Sequence, residues 1–381
     1  MTIRSLARRL LPRLVLLSLA LSTAACGSLP FFKSGPGDAK GVGVQAHLWG
    51  YPDTTDRDLG LARDAGFTWV KVNFPWAYME GDAKGRFEWN EPDRIVDAVQ
   101  RANLKLIARV GMQPAWARSD RVFPEVGPPD RMADWGDFLY ALSQRYKGRI
   151  AGYEIWNEPN LAREWGNQPP SAADYVKLLR IANLAIRKGD PDALIISGGL
   201  SPTTDMSDRA RADTVYLQEM YAAGAKGLFD LLGVHAAGFK APPEMDPGEV
   251  AKNPELTNHD PSPEELRRAY SFRHVEDLRK IMEENDDGAH HIAILEMGWT
   301  SDPRPDSPYK WHAVTEDEKA NYLARAVQYA QEHWKPWLGP MIIWTLADPS
   351  WKADQEQTYW AITSPDGTPR PAYDALKRLL K

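Results

Sequence analysis

From Gly41 onward, short apolar runs rich in Val, Ile and Phe alternate with longer stretches whose apolar residues recur at helical spacing. The pattern predicts a strand over 42–47 and a helix near 55–65, then a strand over 68–74 and a helix near 92–102. The strand at 104–110 leads to a helix near 132–146, that at 150–156 to one near 172–188, and that at 193–197 to one near 214–223. The last three units pair 229–235 with 263–284, 291–295 with 316–333, and 341–346 with 372–380. Strands alternating with helices imply a parallel sheet, and eight such units imply its closure. The expected fold is α/β, a single (β/α)8 TIM barrel filling 41–381 with no second domain. The long segments 113–131, 236–261 and 347–370 follow strands three, six and eight. They would all lie at the C-terminal mouth, where such barrels keep their active sites.

The first 26 residues break the alternation and read as an export signal. Arg4, Arg8, Arg9 and Arg13 precede an apolar run over 14–25, too short to span a bilayer, which takes about 20 residues. The run stops at Thr23-Ala24-Ala25-Cys26-Gly27. Small residues before a lone cysteine resemble a bacterial lipobox, with Thr23 standing where Leu is usual. In that reading Cys26 is lipidated and the protein is anchored to the membrane or envelope of a bacterium. In the other, the signal is an ordinary cleavable one and the product is secreted and soluble. Residues 27–40, with Pro30, Gly35, Pro36 and Gly37, read as a flexible linker.

Composition narrows the function classes. Hydrophobic residues make up 43% of the 381, enough for a sizeable core. The net charge is −6, without the basic stripe of a nucleic-acid binder. Cys26 is the sole cysteine, so neither a disulfide within these residues nor a cysteine-based metal or redox site can form. There is no His-Glu-x-x-His helix, no Gly-x-x-x-x-Gly-Lys loop and no Gly-x-Gly-x-x-Gly after the first strand. His290 and His291 are adjacent, so in a strand they point to opposite faces. No metal and no cofactor are expected, and the protein is expected to be a monomer. The 15 tryptophans offer flat apolar faces that suit the C–H face of a sugar ring.

Two stretches carry chemistry. Glu154-Ile155-Trp156-Asn157-Glu158-Pro159-Asn160 ends the fourth predicted strand. There Glu158 can protonate a leaving oxygen if its surroundings raise its pKa, and Asn157 can hydrogen-bond a sugar hydroxyl. Ile292-Ala293-Ile294-Leu295-Glu296-Met297-Gly298-Trp299 is a buried-strand run that ends in a carboxylate. An unpaired buried charge is costly, so Glu296 needs a purpose or a partner. Strict alternation puts Glu154, Trp156 and Glu158 on one side of their strand. Arg109, on the preceding strand, then faces Glu154, and the two are expected to form a structural ion pair.

Trp-Asn-Glu-Pro ending the fourth strand, with a Glu ending the seventh, resembles the clan A glycoside hydrolases, of the family 39 and family 5 type. Val72-Asn73-Phe74-Pro75-Trp76 with Gly85-Arg86-Phe87-Glu88-Trp89 looks like the second βα loop of family 39. Pro114-Ala115-Trp116-Ala117 looks like its third. The resemblance implies a retaining enzyme with Glu158 as general acid/base and Glu296 as nucleophile. It also implies that Asn157, Trp344, His235, Trp76, Trp116, His47 and Lys71 line the sugar site. Trp344 would floor it; for His235 a structural role and a ligand-facing one both stand, as they do for His47. Two departures matter. Lys71 stands where many members have Arg. Ala237 stands where a Tyr often supports the nucleophile, so that support must come from elsewhere. The expected activity is hydrolysis of glycosidic bonds in a polysaccharide or oligosaccharide. The alternatives are a transglycosylase with the same residues and a sugar-binding lipoprotein on an inactivated barrel; two carboxylates at one mouth favour an enzyme.

Overall fold

A computed structural model describes residues 40–120 and 126–381; the export segment, Cys26 and most of the linker expected over 27–40 lie outside them. Eight parallel strands close in chain order. They are β1 (Gly41–Gln45), β2 (Trp69–Pro75), β3 (Lys105–Gly111), β4 (Gly152–Ile155), β5 (Leu194–Ser197), β6 (Leu231–Ala237), β7 (His291–Gly298) and β8 (Leu338–Ile343), with β8 pairing back to β1. Helices such as Pro52–Asp64, Ala172–Gly189 and Glu316–His333 follow the strands, so the fold is the expected (β/α)8 TIM barrel. Local chemistry fixes their starts. Pro52 and Pro371 open helices where no N–H is needed. Thr315 and Glu318 form a reciprocal capping box for Glu316–His333.

One element departs from the periodic pattern. The helix expected over 263–284 is one turn, Glu264–Arg267, then two 3-10 turns around an extended Ser271, and only then a helix, Val275–Glu284. Side chains impose the break. Arg267 donates to the carbonyls of Ala251, Asp260 and Ser262, and Phe272 stacks on Trp334. His274 sits between Asp213 and Asp277 at 3.0 Å from each. Burial alone would lower its pKa, but the two carboxylates outweigh burial and hold it above its ordinary value. This charged clamp ties Val275–Glu284 to the helix Asp213–Ala222. The loop after β6 also holds a short unexpected helix, Pro247–Lys252, capped by the Asp246 carboxylate.

Alternation along the strands divides the core in two. Outward positions such as Val70, Val72, Val110 and Ile195 pack under the helices. Inward positions Trp69, Ile107, Leu194, Ile196, Leu231, Ala293, Leu295 and Ile342 fill the barrel's lower half. Trp69 takes so much of that space that a Cβ on Gly43 would come within 2.6 Å of it.

Candidate active site

One step further along the same strands the interior changes character. Lys71 follows Trp69 on β2, Arg109 follows Ile107 on β3, and Glu154, His235 and Glu296 come from β4, β6 and β7. The position of Glu296 depends on an irregularity. By alternation it would share the outward face of Ile292 and Ile294. Between β6 and β7, however, Val234 pairs with Ile294 and His235 with Glu296. This β-bulge adds one residue, Leu295, and turns the Glu296 side chain into the mouth.

Glu158 is aimed by strain rather than by the strand. β4 ends at Ile155, and both Trp156 (φ 76°) and Glu158 (φ 39°) adopt left-handed backbone. Such residues cost about 1–3 kcal/mol each and persist only where the surroundings hold them. Here Trp156 Nε1 donates to the Glu164 carbonyl at 2.7 Å. The Glu158 N–H donates to Gly199, and Asn160 bonds Ser201 and Arg211. The expected alternation of Glu154, Trp156 and Glu158 onto one side therefore fails. Trp156 turns outward against Trp135 and Trp165, because the chain leaves the strand before reaching it.

The two glutamates meet at His235. Its Nδ1 lies 3.0 Å from Glu158 Oε1 and 3.8 Å from Glu296 Oε2. Two oxygens sharing one nitrogen at these distances are no more than about 7 Å apart. The other oxygens face cations. Arg163 Nη2 donates to Glu158 Oε2 at 2.6 Å, while Lys71 Nζ donates to Glu296 Oε1 at 3.1 Å, with Arg109 Nη1 at 3.5 Å. Burial would raise the pKa of Glu296, but His235, Lys71 and Arg109 overcome it and hold the carboxyl below its ordinary value. Burial is likewise outweighed at Glu158, by His235 and Arg163, so that carboxyl is also held down. This reverses the raised pKa expected for an acid. His235 is held above its usual value, the attraction of both carboxylates exceeding the effect of burial.

The structure corrects the ion pair. Arg109 and Glu154 are register partners, as expected. Yet Glu154 pairs with Lys71 Nζ at 3.2 Å, and both side chains are 0% exposed. Arg109 instead extends to the mouth, donating to Asn157 Oδ1 at 2.8 Å. A lysine stem fits the closed centre, whereas the longer guanidinium reaches the open end. Lys71, expected to face the sugar, is enclosed beneath Glu296 and bridges it to Glu154. With Arg109 it supplies the support that Ala237 cannot give. Trp76 is a second correction. It is fully buried, stacked on Phe138, with Nε1 on Glu80, and belongs to the core. Trp116 stands edge-on to Trp76 and donates to the Glu80 carbonyl.

Trp344 and Asn157 do reach the mouth. With Glu158, Glu296, Arg163 and Tyr309 they line a cavity of about 690 Å³. A smaller one, about 270 Å³, lies against β1 and β2, walled by His47, Trp49, Asn73, Tyr78 and Asp348. His47 bonds Thr345 at 3.2 Å, and burial pushes its pKa down to about 4 despite nearby Asp348. Sequence reasoning missed Arg163, Tyr309, Glu356 and Asp348, all on loops without periodic pattern. The position of those loops after strands at the C-terminal end was the one available signal.

With this geometry established, the chain can be set beside known proteins. The family model described as cellulase (glycosyl hydrolase family 5) matches residues 36–263. A β-xylosidase of Geobacillus stearothermophilus is 27% identical over 180 residues, covering 43% of this chain and 33% of that protein. A β-xylosidase of Caldicellulosiruptor saccharolyticus is 22% identical, covering 85% of this chain and 62% of its own length. The chain thus spans between a third and two thirds of these relatives. Among solved structures, a family 39 glycoside hydrolase from Bacteroides cellulosilyticus WH2 superposes with a TM-score of 0.65 at 22% identity, over 89% of this chain and 62% of that one. A family 39 β-xylosidase from Caulobacter crescentus superposes at 0.58 and 18% identity, over 88% and 70%. At these identities the superpositions speak for the fold.

Proposed function

The chain belongs to the cellulase family, glycosyl hydrolase family 5, within clan A of the glycoside hydrolases, and from that premise we propose that it is a retaining glycoside hydrolase acting on a polysaccharide or oligosaccharide. Glu296 is the nucleophile and Glu158 the general acid/base. The observation that carries this reading is the placement of two carboxylates on one histidine nitrogen at the barrel mouth. Retaining pairs lie about 5–5.5 Å apart and inverting pairs about 6.5–9.5 Å; the approach of both carboxylates to one His235 nitrogen supports the shorter separation. The two oxygens of Glu296 also differ in a useful way. Oε1 is tethered by Lys71 and Arg109, while Oε2 points to His235 across 3.8 Å and is left to attack. Attack on the anomeric carbon forms a glycosyl ester as Glu158 protonates the leaving oxygen. Glu158 then takes a proton from the water that cleaves the ester. His235, Lys71 and Arg109 keep Glu296 ionised, and Asn157 holds Arg109 in place.

Names of the relatives make β-xylosides the first substrates to try, beside mannan and β-glucan. On an activated aryl β-glycoside, Glu296→Ala should abolish turnover and recover partly with azide, releasing the α-azide. Glu158→Ala should spare the first step and give the β-azide. An inverted first product by NMR would remove the retaining assignment, and full activity in Glu158→Gln would remove the whole reading. The same proposal includes an export signal over 1–26, a linker over 27–40 and a catalytic domain over 41–381. Cys26 carries the lipid anchor, which mass spectrometry of the mature N-terminal peptide tests directly.

A further inference from the structure

We propose that Arg163 is a positioning residue that occupies the acid/base carboxylate in the empty site and must be displaced by the leaving-group sugar before Glu158 can act as an acid. The proposal rests on the acid/base assignment above. Each oxygen of Glu158 has one partner: His235 Nδ1 on Oε1 at 3.0 Å and Arg163 Nη2 on Oε2 at 2.6 Å. A carboxyl that gives its proton to a glycosidic oxygen must turn the oxygen that bears it towards the sugar, and the partner standing on that side has to give way. His235 has nowhere to go. Its side chain is 5% exposed, and a Cβ on Gly199 would come within 2.2 Å of its Nε2. Arg163 is 64% exposed and stands on the 3-10 turn Ala162–Glu164, with Glu164 as its other charged neighbour at 3.9 Å. It also lines the large cavity beside Tyr309 and Glu356, where a sugar entering past Glu158 would meet it.

Displacement changes the charge balance. Glu158 is faced by His235 from β6, Glu296 from β7, Arg163 and Glu164 from the turn after β4, and Tyr309 from the loop after β7. With Arg163 in place, the cations prevail and the carboxylate stays ionised. With it displaced, His235 is the one cation left in contact with Glu158, the charges of Lys71 and Arg109 being directed at Glu296 Oε1, and Glu158 takes one proton from solvent. That proton passes to the leaving oxygen as its bond to the anomeric carbon breaks and the bond from Glu296 forms.

The test reads the carboxyl directly. In the full chain labelled with 13C-glutamate, Glu158 is assigned by its loss in Glu158→Gln, and its titration is followed by NMR without substrate. A cation at this range lowers a carboxylate pKa by about 1–3 units, and an exposed one acts near the lower end. Arg163→Ala should therefore move the Glu158 midpoint upward by about one pH unit, and Arg163→Lys should restore most of the difference. An unchanged midpoint in Arg163→Ala overturns the proposal. Kinetics give the second readout. The alkaline limb of kcat/KM on xylotriose should rise by about the same amount in Arg163→Ala, while 4-nitrophenyl β-xyloside, whose leaving group needs no acid, should show no such movement. A shifted NMR midpoint with an unmoved alkaline limb on xylotriose also overturns it. If the wild-type protein cleaves no glycoside, the acid/base reading falls, and the NMR titration reports on Arg163 separately.

Discussion

At Trp69, Ile107, Leu231 and Leu295 the barrel interior is apolar; further along the same strands, at Lys71, Arg109, His235 and Glu296, it is charged. The two layers share backbone, register and enclosure, so the contrast isolates what each kind of residue contributes. Burying an apolar side chain stabilises by about 1.5–3 kcal/mol, and the lower layer does this with no polar atom to satisfy beyond the Trp69 N–H, which donates to Lys40. In the upper layer desolvation offsets much of the attraction between charges, and a buried ion pair is often no more stable than an apolar one of the same shape. The lower layer and the helical shell therefore hold the barrel together. The upper layer is a charged device carried by them, stable only while every charge keeps its partner.

The largest effect should come from removing one such partner. Lys71→Met leaves Glu154 enclosed without its cation and Glu296 without its closest one. Breaking a buried pair from one side costs about 3–5 kcal/mol, and loss of the charge beside the nucleophile should lower kcat by about 100-fold or more. Thermal unfolding and kinetics on an aryl β-glycoside measure both. A stable, active Lys71→Met would mean that the upper layer tolerates unpaired charge. Next in size is Leu231→Ala in the lower layer. The cavity should cost about 2–5 kcal/mol, with kcat per folded molecule unchanged, because the packing lost lies below the charged groups. A large drop in kcat there would show the layers to be coupled.

A smaller effect separates the layers by pH. Glu158 and Glu296 are both held below their ordinary pKa in the folded state. Each therefore adds stability that is fully present above about pH 4.5 and is lost as pH falls through the folded value. As the pH falls below about 4.5, the wild-type protein should lose on the order of 1 kcal/mol per pH unit for each of these carboxyls until its depressed pKa is passed. Glu296→Gln should show a shallower acid slope, whereas Leu231→Ala should keep the wild-type slope at a lower melting temperature. Equal slopes in all three would remove the titrating role assigned to the upper layer.

The lower layer was far easier to read from sequence than the upper one. Runs such as 68–74 and 104–110 located β2 and β3 to within a residue, because a buried parallel strand shows its apolar character in the chain itself. The same runs brought Glu158 and Glu296 to one mouth, since consecutive strand–helix units must place strand ends there. What alternation could not give was orientation. It assigns Glu296 to the outward face, and only the bulge at Leu295 reverses this. It keeps Trp156 on the same side as Glu154, and only left-handed backbone turns it away. Nor could register choose between Lys71 and Arg109 as the partner of Glu154, because stem length and depth decide that in three dimensions. Arg163 and Tyr309 come from irregular loops, where no period exists to be read.

The smallest expected change in stability is the sharpest test of the two-layer comparison. Lys71→Met combined with Glu154→Leu removes a cation and an anion together and leaves two apolar side chains of similar length at the centre of the barrel. If Lys71 and Glu154 are kept for chemistry, the double variant should recover most of what Lys71→Met loses and unfold within about 1 kcal/mol of wild type, since replacing both partners of a buried pair is often neutral. Its activity should stay as low as that of the single variant, because Arg109 at 3.5 Å is then the closest remaining cation on Glu296 Oε1. A double-mutant cycle measures the coupling, with Glu154→Leu alone as the fourth corner. That single variant leaves Lys71 still paired with Glu296 at 3.1 Å, so it should lose less stability than Lys71→Met. Stability recovered without activity would mean that the upper layer repeats the lower layer's packing and adds charge for the reaction alone. Stability that stays lost in the double variant would mean that the ion pair, like Trp69 beneath it, helps to hold the barrel closed.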